Sequence, residues 1–374
     1  DDPDVGRSIE ELVRSRGFDI EVHNVITKDG YILALHRLVN RKERLGLPED
    51  YYHYSTIKKP VLIQHGIFSS SIEFLINSPF LENNNSKSGD NLGFGLHMTG
   101  RYDVFLSNTR GSLYSQKHVK FSNQEDAFWR YSFDHMAEFD LPAVIDYIKK
   151  ITSSETVAYV GFSQGTAIMF ALMSLRPEYG RIVRPFIAMA PITTVSGVQS
   201  PIPSVSIRQL ALVMSLFLER PHQFTIPAWL SGVFWKSTHL NESRVSVYSQ
   251  HASSVGSWEL LHWAQLVISR RFERFDYRSR AENAAKYGQA TVPDFPLQAI
   301  PREAVIALIR SDGDEMSTVP DQERLIAVLK KAGVALDDYV IPASNWSHAD
   351  YLHGLDAGRL IYDHIIELLD RFTL

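Results

Sequence analysis

One serine, a few acids and a late histidine in this chain have the types and order that acyl transfer needs. Gly161-Phe162-Ser163-Gln164-Gly165 sets a serine between two glycines, each two residues away. A serine hydroxyl is a weak nucleophile. It needs a base to take its proton and an acid to hold that base in the right tautomer. His348, in Asn345-Trp346-Ser347-His348-Ala349-Asp350-Tyr351, is the candidate base, with His353 its nearest rival. The candidate acids lie in Arg310-Ser311-Asp312-Gly313-Asp314-Glu315. Asp314 is preferred, and Asp312 comes next.

Such a set works only if the backbone delivers it. Short apolar runs at Val61-Leu62-Ile63, Tyr102 to Leu106, Val157 to Val160, Phe186 to Ala190, Ala304 to Ile309 and Tyr339-Val340-Ile341 read as strands buried on both faces. Helical patterns lie between them, at Asp140 to Lys150, Thr166 to Leu175 and Leu325 to Ala332, and a last one spans Ala357 to Arg371. Strand–helix alternation predicts a mostly parallel central sheet with helices on both faces. Ser163 then sits on a sharp strand-to-helix turn, the nucleophile elbow of the α/β-hydrolase fold, in which the chain order is serine, acid, histidine. Asp314 and His348 follow that order. The oxyanion donors expected are the backbone N–H groups of Gln164 and of Ile67, after Gln64-His65-Gly66. His65 is expected to support that loop by packing and hydrogen bonding. Ahead of the sheet, a helix at Ser8 to Arg16 and a hairpin, Ile20 to Thr27 and Tyr31 to Leu38 about Asp29-Gly30, are expected.

Two stretches break the rhythm. Asn83 to Gly95 is polar and reads as a surface loop. Residues 192–300 carry apolar and aromatic clusters but no parallel-sheet strand, so they read as a helical cap inserted late in the sheet. The domain reading is core 1–191, cap or lid 192–300, and core again 301–374. The clusters of 210–263 read first as the core of that cap and second as a lid and acyl groove where apolar surface would meet lipid; on the second reading Leu216, Phe217, Trp229 and Phe234 are placed at the groove or lid.

Composition limits the alternatives. The chain has 374 residues, a net charge of −5 and no Lys/Arg-rich run, which argues against nucleic acid. It has no cysteine, which excludes disulfides and a thiol nucleophile. Its longest apolar stretch, Ala211 to Leu218, is far short of the ~20 residues that span a bilayer, so no transmembrane segment is expected. His251 and His262 lack ligand spacing, and neither metal nor cofactor is expected. The opening Asp1-Asp2-Pro3-Asp4 reads as neither a signal peptide nor a methionine start. Sequons stand at Asn84, Asn241 and Asn345; on a secretory route Asn84, in a polar run, is the expected glycan acceptor, while Asn345, close to His348, reads as structural.

The motifs together resemble the acid lipases, the gastric and lysosomal group. The resemblance is carried by Gly17-Phe18 with Thr27-Lys28-Asp29-Gly30-Tyr31, by Gln64-His65-Gly66 with Ser69-Ser70-Ser71, and by Asn108-Thr109-Arg110-Gly111. It continues through Phe128-Trp129, Ser132-Phe133-Asp134 and Asp140-Leu141-Pro142-Ala143 to Ser163-Gln164-Gly165-Thr166 and His348-Ala349-Asp350-Tyr351. The resemblance implies hydrolysis of long-chain lipid esters, triacylglycerols or steryl esters, through an acyl-enzyme. It also implies a mobile lid that touches a lipid surface, and a secreted or lysosomal setting. The acid loop departs from the family's Asp-x-x-Ala-Asp-Pro: Asp314 to Pro320 holds one residue more. A short-chain esterase or acyltransferase on the same residues is the alternative, and a non-catalytic lipid binder is the reading from another class.

Overall fold

The computed structural model describes residues 2–40, 58–78, 86, 89–201, 204–225, 237 and 239–373. Its strands in chain order are β1 (Phe18–Ile26), β2 (Tyr31–Asn40), β3 (Lys59–Gln64), β4 (Tyr102–Leu106), β5 (Lys117–His118), β6 (Val157–Phe162), β7 (Val183–Met189), β8 (Gln223–Phe224), β9 (Val255–Gly256), β10 (Ile306–Arg310) and β11 (Leu336–Val340). Among the described residues, one sheet of nine strands runs β1-β2-β4-β3-β6-β7-β10-β11, with β5 added against β2. β1 and β2 form the antiparallel hairpin, and β2 meets β4 antiparallel. From β4 to β11 every pairing is parallel. The family expectation of an α/β-hydrolase architecture is thereby met: a mostly parallel sheet flanked by helices.

Alternating side chains of the inner strands feed two cores. Leu62, Phe105 and Tyr159 enter one with Val144, Ile148, Ala171, Leu325 and Leu329. Val61, Ile63, Val104 and Val160 enter the other with Leu12, Phe94, Ile365 and Leu369. Helices Leu141–Thr152, Gln164–Leu175 and Val319–Lys331 therefore cover one face, and Ile9–Ser15, Leu92–Met98 and Asp363–Thr373 the other. The first helix starts where its residues dictate: Ser8 and Glu11 form a reciprocal capping box.

Several boundaries differ from the sequence expectation. β11 starts at Leu336, not Tyr339, because at the sheet edge it carries Asp337 and Asp338 half-exposed, and such a strand does not read as an apolar run. β10 begins at Ile306, not Ala304, and β7 reaches back to Val183. Within the expected surface loop at 83–95, the second half is a buried helix capped by Asn91, Leu92–Met98. Gly93 is there for packing: a Cβ on it would lie 2.7 Å from Leu75 and 2.9 Å from the Phe74 carbonyl. The first part of that loop, up to Asn85, lies outside the described residues, as does Asn84.

Between β7 and β10 the described chain adds nothing to the main sheet. It forms helices Ile207–Phe217, Val245–Gln250, Ser257–Ser269 and Arg280–Tyr287 and the small antiparallel pair β8–β9. No described helix is long and apolar enough to cross a membrane.

Candidate active site

Parallel strands deliver their following loops to one edge of the sheet, where sites in such folds lie. Gly66-Ile67 follows β3, Ser163 follows β6, Asp314 follows β10 and His348 follows β11. The turn at Ser163 is tight: φ is +53° and ψ −120°, a left-handed backbone for a residue that is not glycine. Three bonds hold it there. Ser163 N donates to the Met189 carbonyl on β7 at 3.0 Å, and the Thr166 N–H and hydroxyl donate to the Ser163 carbonyl at 2.8 and 2.7 Å. The flanking glycines are needed because backbone crowds there. A Cβ on Gly165 would stand 2.7 Å from the Gln64 carbonyl, and one on Gly161 2.8 Å from the Gly165 carbonyl.

The Ser163 Oγ reaches His348 Nε2 at 2.8 Å, and His348 Nδ1 meets both Asp314 carboxylate oxygens at 2.9 Å. A carboxylate only accepts, so Nδ1 carries the hydrogen and Nε2 is left to accept from the hydroxyl. Asp314 is itself held by the N–H groups of Met316 and Ser317, each at 2.8 Å. Asp312 instead points outward, its side chain 72% exposed and 3.7 Å from Arg310. Burial disfavours the charged form of His348. The Asp314 charge and hydrogen bond, joined by the charge of Glu315, outweigh this and raise the imidazole above its ordinary value. Asp350 shapes the turn that bears His348 by accepting from the Ser347 N–H and hydroxyl at 2.7 and 2.9 Å. His353, the rival base, lies elsewhere: its Nε2 stands 3.0 Å from Glu73 Oε2, both side chains buried.

The loop after β3 is braced from below. His65 is buried, and burial drives it down to about 4, so it is neutral. Its Nε2 accepts from Thr109 N at 3.1 Å, which leaves Nδ1–H to donate to the Gly66 carbonyl at 2.7 Å. Asn108 accepts from Ser71 N at 2.9 Å and donates to the Ala34 carbonyl at 2.8 Å. Asn108-Thr109 thus clamps the loop between β2 and β4. Arg110 beside it is buried against Asp140 and Asp29. Gln164 opens its helix, and a first-turn N–H has no intrahelical partner, so it is free for an oxyanion.

Of the residues expected at a groove or lid, Leu216 and Phe217 stand on the surface, 68% and 72% exposed on helix Ile207–Phe217. Trp229 and Phe234 lie outside the described residues. Three contributors escaped the sequence reading: the side chains of Gln164, Glu259 and Trp263. Gln164 Nε2 donates to Glu259 Oε1 at 2.6 Å and its Oε1 accepts from Trp263 Nε1 at 2.7 Å. The only sequence signal was the cluster Trp258 to Trp263. Among the described residues no group of three His, Asp or Glu side chains forms a metal cage.

Residues 9–78 match the model of a partial alpha/beta-hydrolase lipase region, and residues 59–292 that of the alpha/beta hydrolase fold. The chain is 32% identical to the human lysosomal acid lipase/cholesteryl ester hydrolase, over 99% of this chain and 92% of that protein. It is 31% identical to the gastric triacylglycerol lipase of Rattus norvegicus, over 98% of this chain and 92% of the relative. Lipase member M of Mus musculus is also 31% identical, over 98% of this chain and 87% of its own length. Among solved structures, a thermophilic esterase from Thermogutta terrifontis aligns with TM-score 0.53 at 13% identity, covering 94% of this chain and 98% of that one. That likeness is one of fold.

Proposed function

The chain belongs to the acid lipase family of the α/β-hydrolases and is a carboxylic ester hydrolase acting on lipids, and we propose that Ser163, His348 and Asp314 carry its chemistry. The observation that supports this most is the unbroken relay from Ser163 Oγ through His348 to Asp314, with each contact at 2.8 to 2.9 Å. His348 Nε2 takes the Ser163 proton as Oγ bonds to the ester carbonyl carbon. The carbonyl oxygen becomes an oxyanion held by the N–H groups of Ile67 and Gln164. The tetrahedral centre collapses, and the departing alkoxide takes the proton from His348. Water then repeats the sequence on the acyl-serine, releasing the fatty acid and restoring the hydroxyl.

The substrate in this reading is a long-chain ester, a triacylglycerol or a steryl ester. The stretch between β7 and β10, residues 192–300, acts as its cap. Leu212, Val213, Leu216 and Phe217 form an exposed apolar stripe on helix Ile207–Phe217. Large apolar patches left in water mark interaction surfaces, and the stripe suits transient contact with a lipid interface. A secreted or lysosomal setting, with a sequon glycosylated, accords with this. A panel of esters of increasing acyl length, assayed with the wild type and with Ser163→Ala, tests the reading. Rates should rise toward long, emulsified esters and vanish in the variant. Hydrolysis confined to short soluble esters would overturn the substrate class, and an active Ser163→Ala would overturn the mechanism.

A further inference from the structure

Helix Ser257–Ser269 is not a loose cover. Its His262 ring stacks on Phe133 at 4.0 Å and 4°, and Trp263 leans on the same ring at 4.8 Å. One turn apart on this helix, Glu259 and Trp263 close on the two ends of the Gln164 amide. The indole N–H can only donate, so the amide oxygen must face Trp263 and the amide nitrogen must face Glu259. The residue that follows the nucleophile is therefore fixed in both side-chain rotation and amide flip.

A carboxyl here is costly to bury. Glu259 is 2% exposed. Burial lifts it to about 7, against the pull of the bonds from Gln164 and the Gly256 backbone, while Asp140 adds to the rise. Charged or neutral, it still offers an oxygen to Gln164. An apolar residue would fill the space without that cost but would leave the buried Gln164 Nε2 only the Met136 sulfur, at 3.8 Å, as an acceptor. The same stretch also grips the other side of the oxyanion site. Ser253 N donates to the Phe68 carbonyl at 2.8 Å, one residue beyond Ile67.

We propose that Glu259 and Trp263 are positioning residues that clamp Gln164 and thereby hold its backbone N–H on the oxyanion, so that helix Ser257–Ser269 is part of the catalytic machinery. This rests on the reading of Ser163 and Gln164 given above. The clamp acts on the transition state, in which the oxyanion exists, so its loss shows in kcat and not in KM. A misplaced donor typically costs on the order of 10–100-fold, less than its removal.

The test measures kcat, KM and thermal midpoint on a short soluble p-nitrophenyl ester, for which lipid-surface contact is irrelevant. Trp263→Phe keeps the ring packing and loses one N–H. Glu259→Leu loses the acceptor, and Glu259→Gln keeps one oxygen. The proposal expects kcat to fall about 10–100-fold in the first two with KM within about two-fold, and Glu259→Gln to recover most of the loss. It is overturned if folded Trp263→Phe keeps wild-type kcat, if the loss lies in KM alone, or if Glu259→Gln is as slow as Glu259→Leu. Should Glu259→Leu fail to fold, Trp263→Phe decides. Ser163→Ala runs alongside. Activity surviving there defeats the underlying mechanism, whereas an inactive Ser163→Ala beside unaffected clamp variants defeats the clamp alone.

Discussion

The elbow and the stretch from β7 to β10 meet at Gln164, yet they are built by different means. The elbow is a backbone construction. Strand ends, two glycines and a left-handed serine put Ser163, Asp314 and His348 within hydrogen-bond range, and each piece is held by neighbours in sequence or on the next strand. The stretch after β7 works through side chains across some 95 residues. Within it, two helices divide the labour. Ser257–Ser269 is buried against the elbow, whereas Ile207–Phe217 turns Leu216 and Phe217 to water. In the proposed reading, rigid positioning and surface contact fall to separate helices. Damage should differ in kind accordingly: chemistry lost at the elbow, interface lost at the exposed helix.

The sharpest break comes from the two neighbouring acids. Asp314→Asn should lower kcat by about 10⁴-fold, since the imidazole loses the partner that sets its tautomer, and Asp312→Asn should stay within about two-fold. Equal losses from the two would show that the acid has been misplaced. Gly165→Ala probes the backbone side. Its Cβ would lie 2.7 Å from the Gln64 carbonyl, so denaturant melts should show a loss of about 1–3 kcal/mol together with reduced kcat. A variant with wild-type stability would mean that the elbow has slack.

The pH profile follows from His348. Its imidazole is raised above the ordinary 6.5, and only the neutral form can take the Ser163 proton. Activity is therefore full above the raised value and falls as pH drops through it. In kcat/KM this is a limb approaching tenfold per pH unit, with its midpoint above 6.5. A midpoint below 6.5 would contradict the electrostatics of the relay. The mildest effect belongs to the exposed helix. Leu216→Ser with Phe217→Ser should leave soluble-ester kcat/KM within about two-fold while slowing emulsified lipid roughly tenfold, the scale of losing buried contact for one large apolar side chain. If both substrates slow together, the helix does more than touch the surface.

How much of this was legible depended on whether a feature was local. Gly161-Phe162-Ser163-Gln164-Gly165 carries its own backbone requirement, so the elbow could be read directly. Continuous apolar runs disclosed the inner strands and the Tyr339-Val340 end of β11, but the start of β11 hid behind Asp337 and Asp338 because an edge strand faces water on its open side. Helix Leu92–Met98 hid behind Gly93 and Gly95, of which Gly93 serves close packing and not a loop. Spacing alone could not separate Asp312 from Asp314. What separates them in space is the pair of N–H groups from Met316 and Ser317 that turn Asp314 inward. The Gln164 clamp showed only as the aromatic cluster Trp258 to Trp263, since a helix holding Glu259 and Trp263 has the same periodicity whatever lies opposite them.

The central claim is that Ser163, activated by His348, is the nucleophile. Its most direct test is labelling with a fluorophosphonate, followed by peptide mass mapping, in the wild type and in His348→Ala. The account predicts a single adduct on Ser163, formed at least about 10²-fold more slowly in the variant with its circular dichroism unchanged. An adduct on another serine, no adduct on a folded wild type, or an undiminished rate in His348→Ala would contradict it.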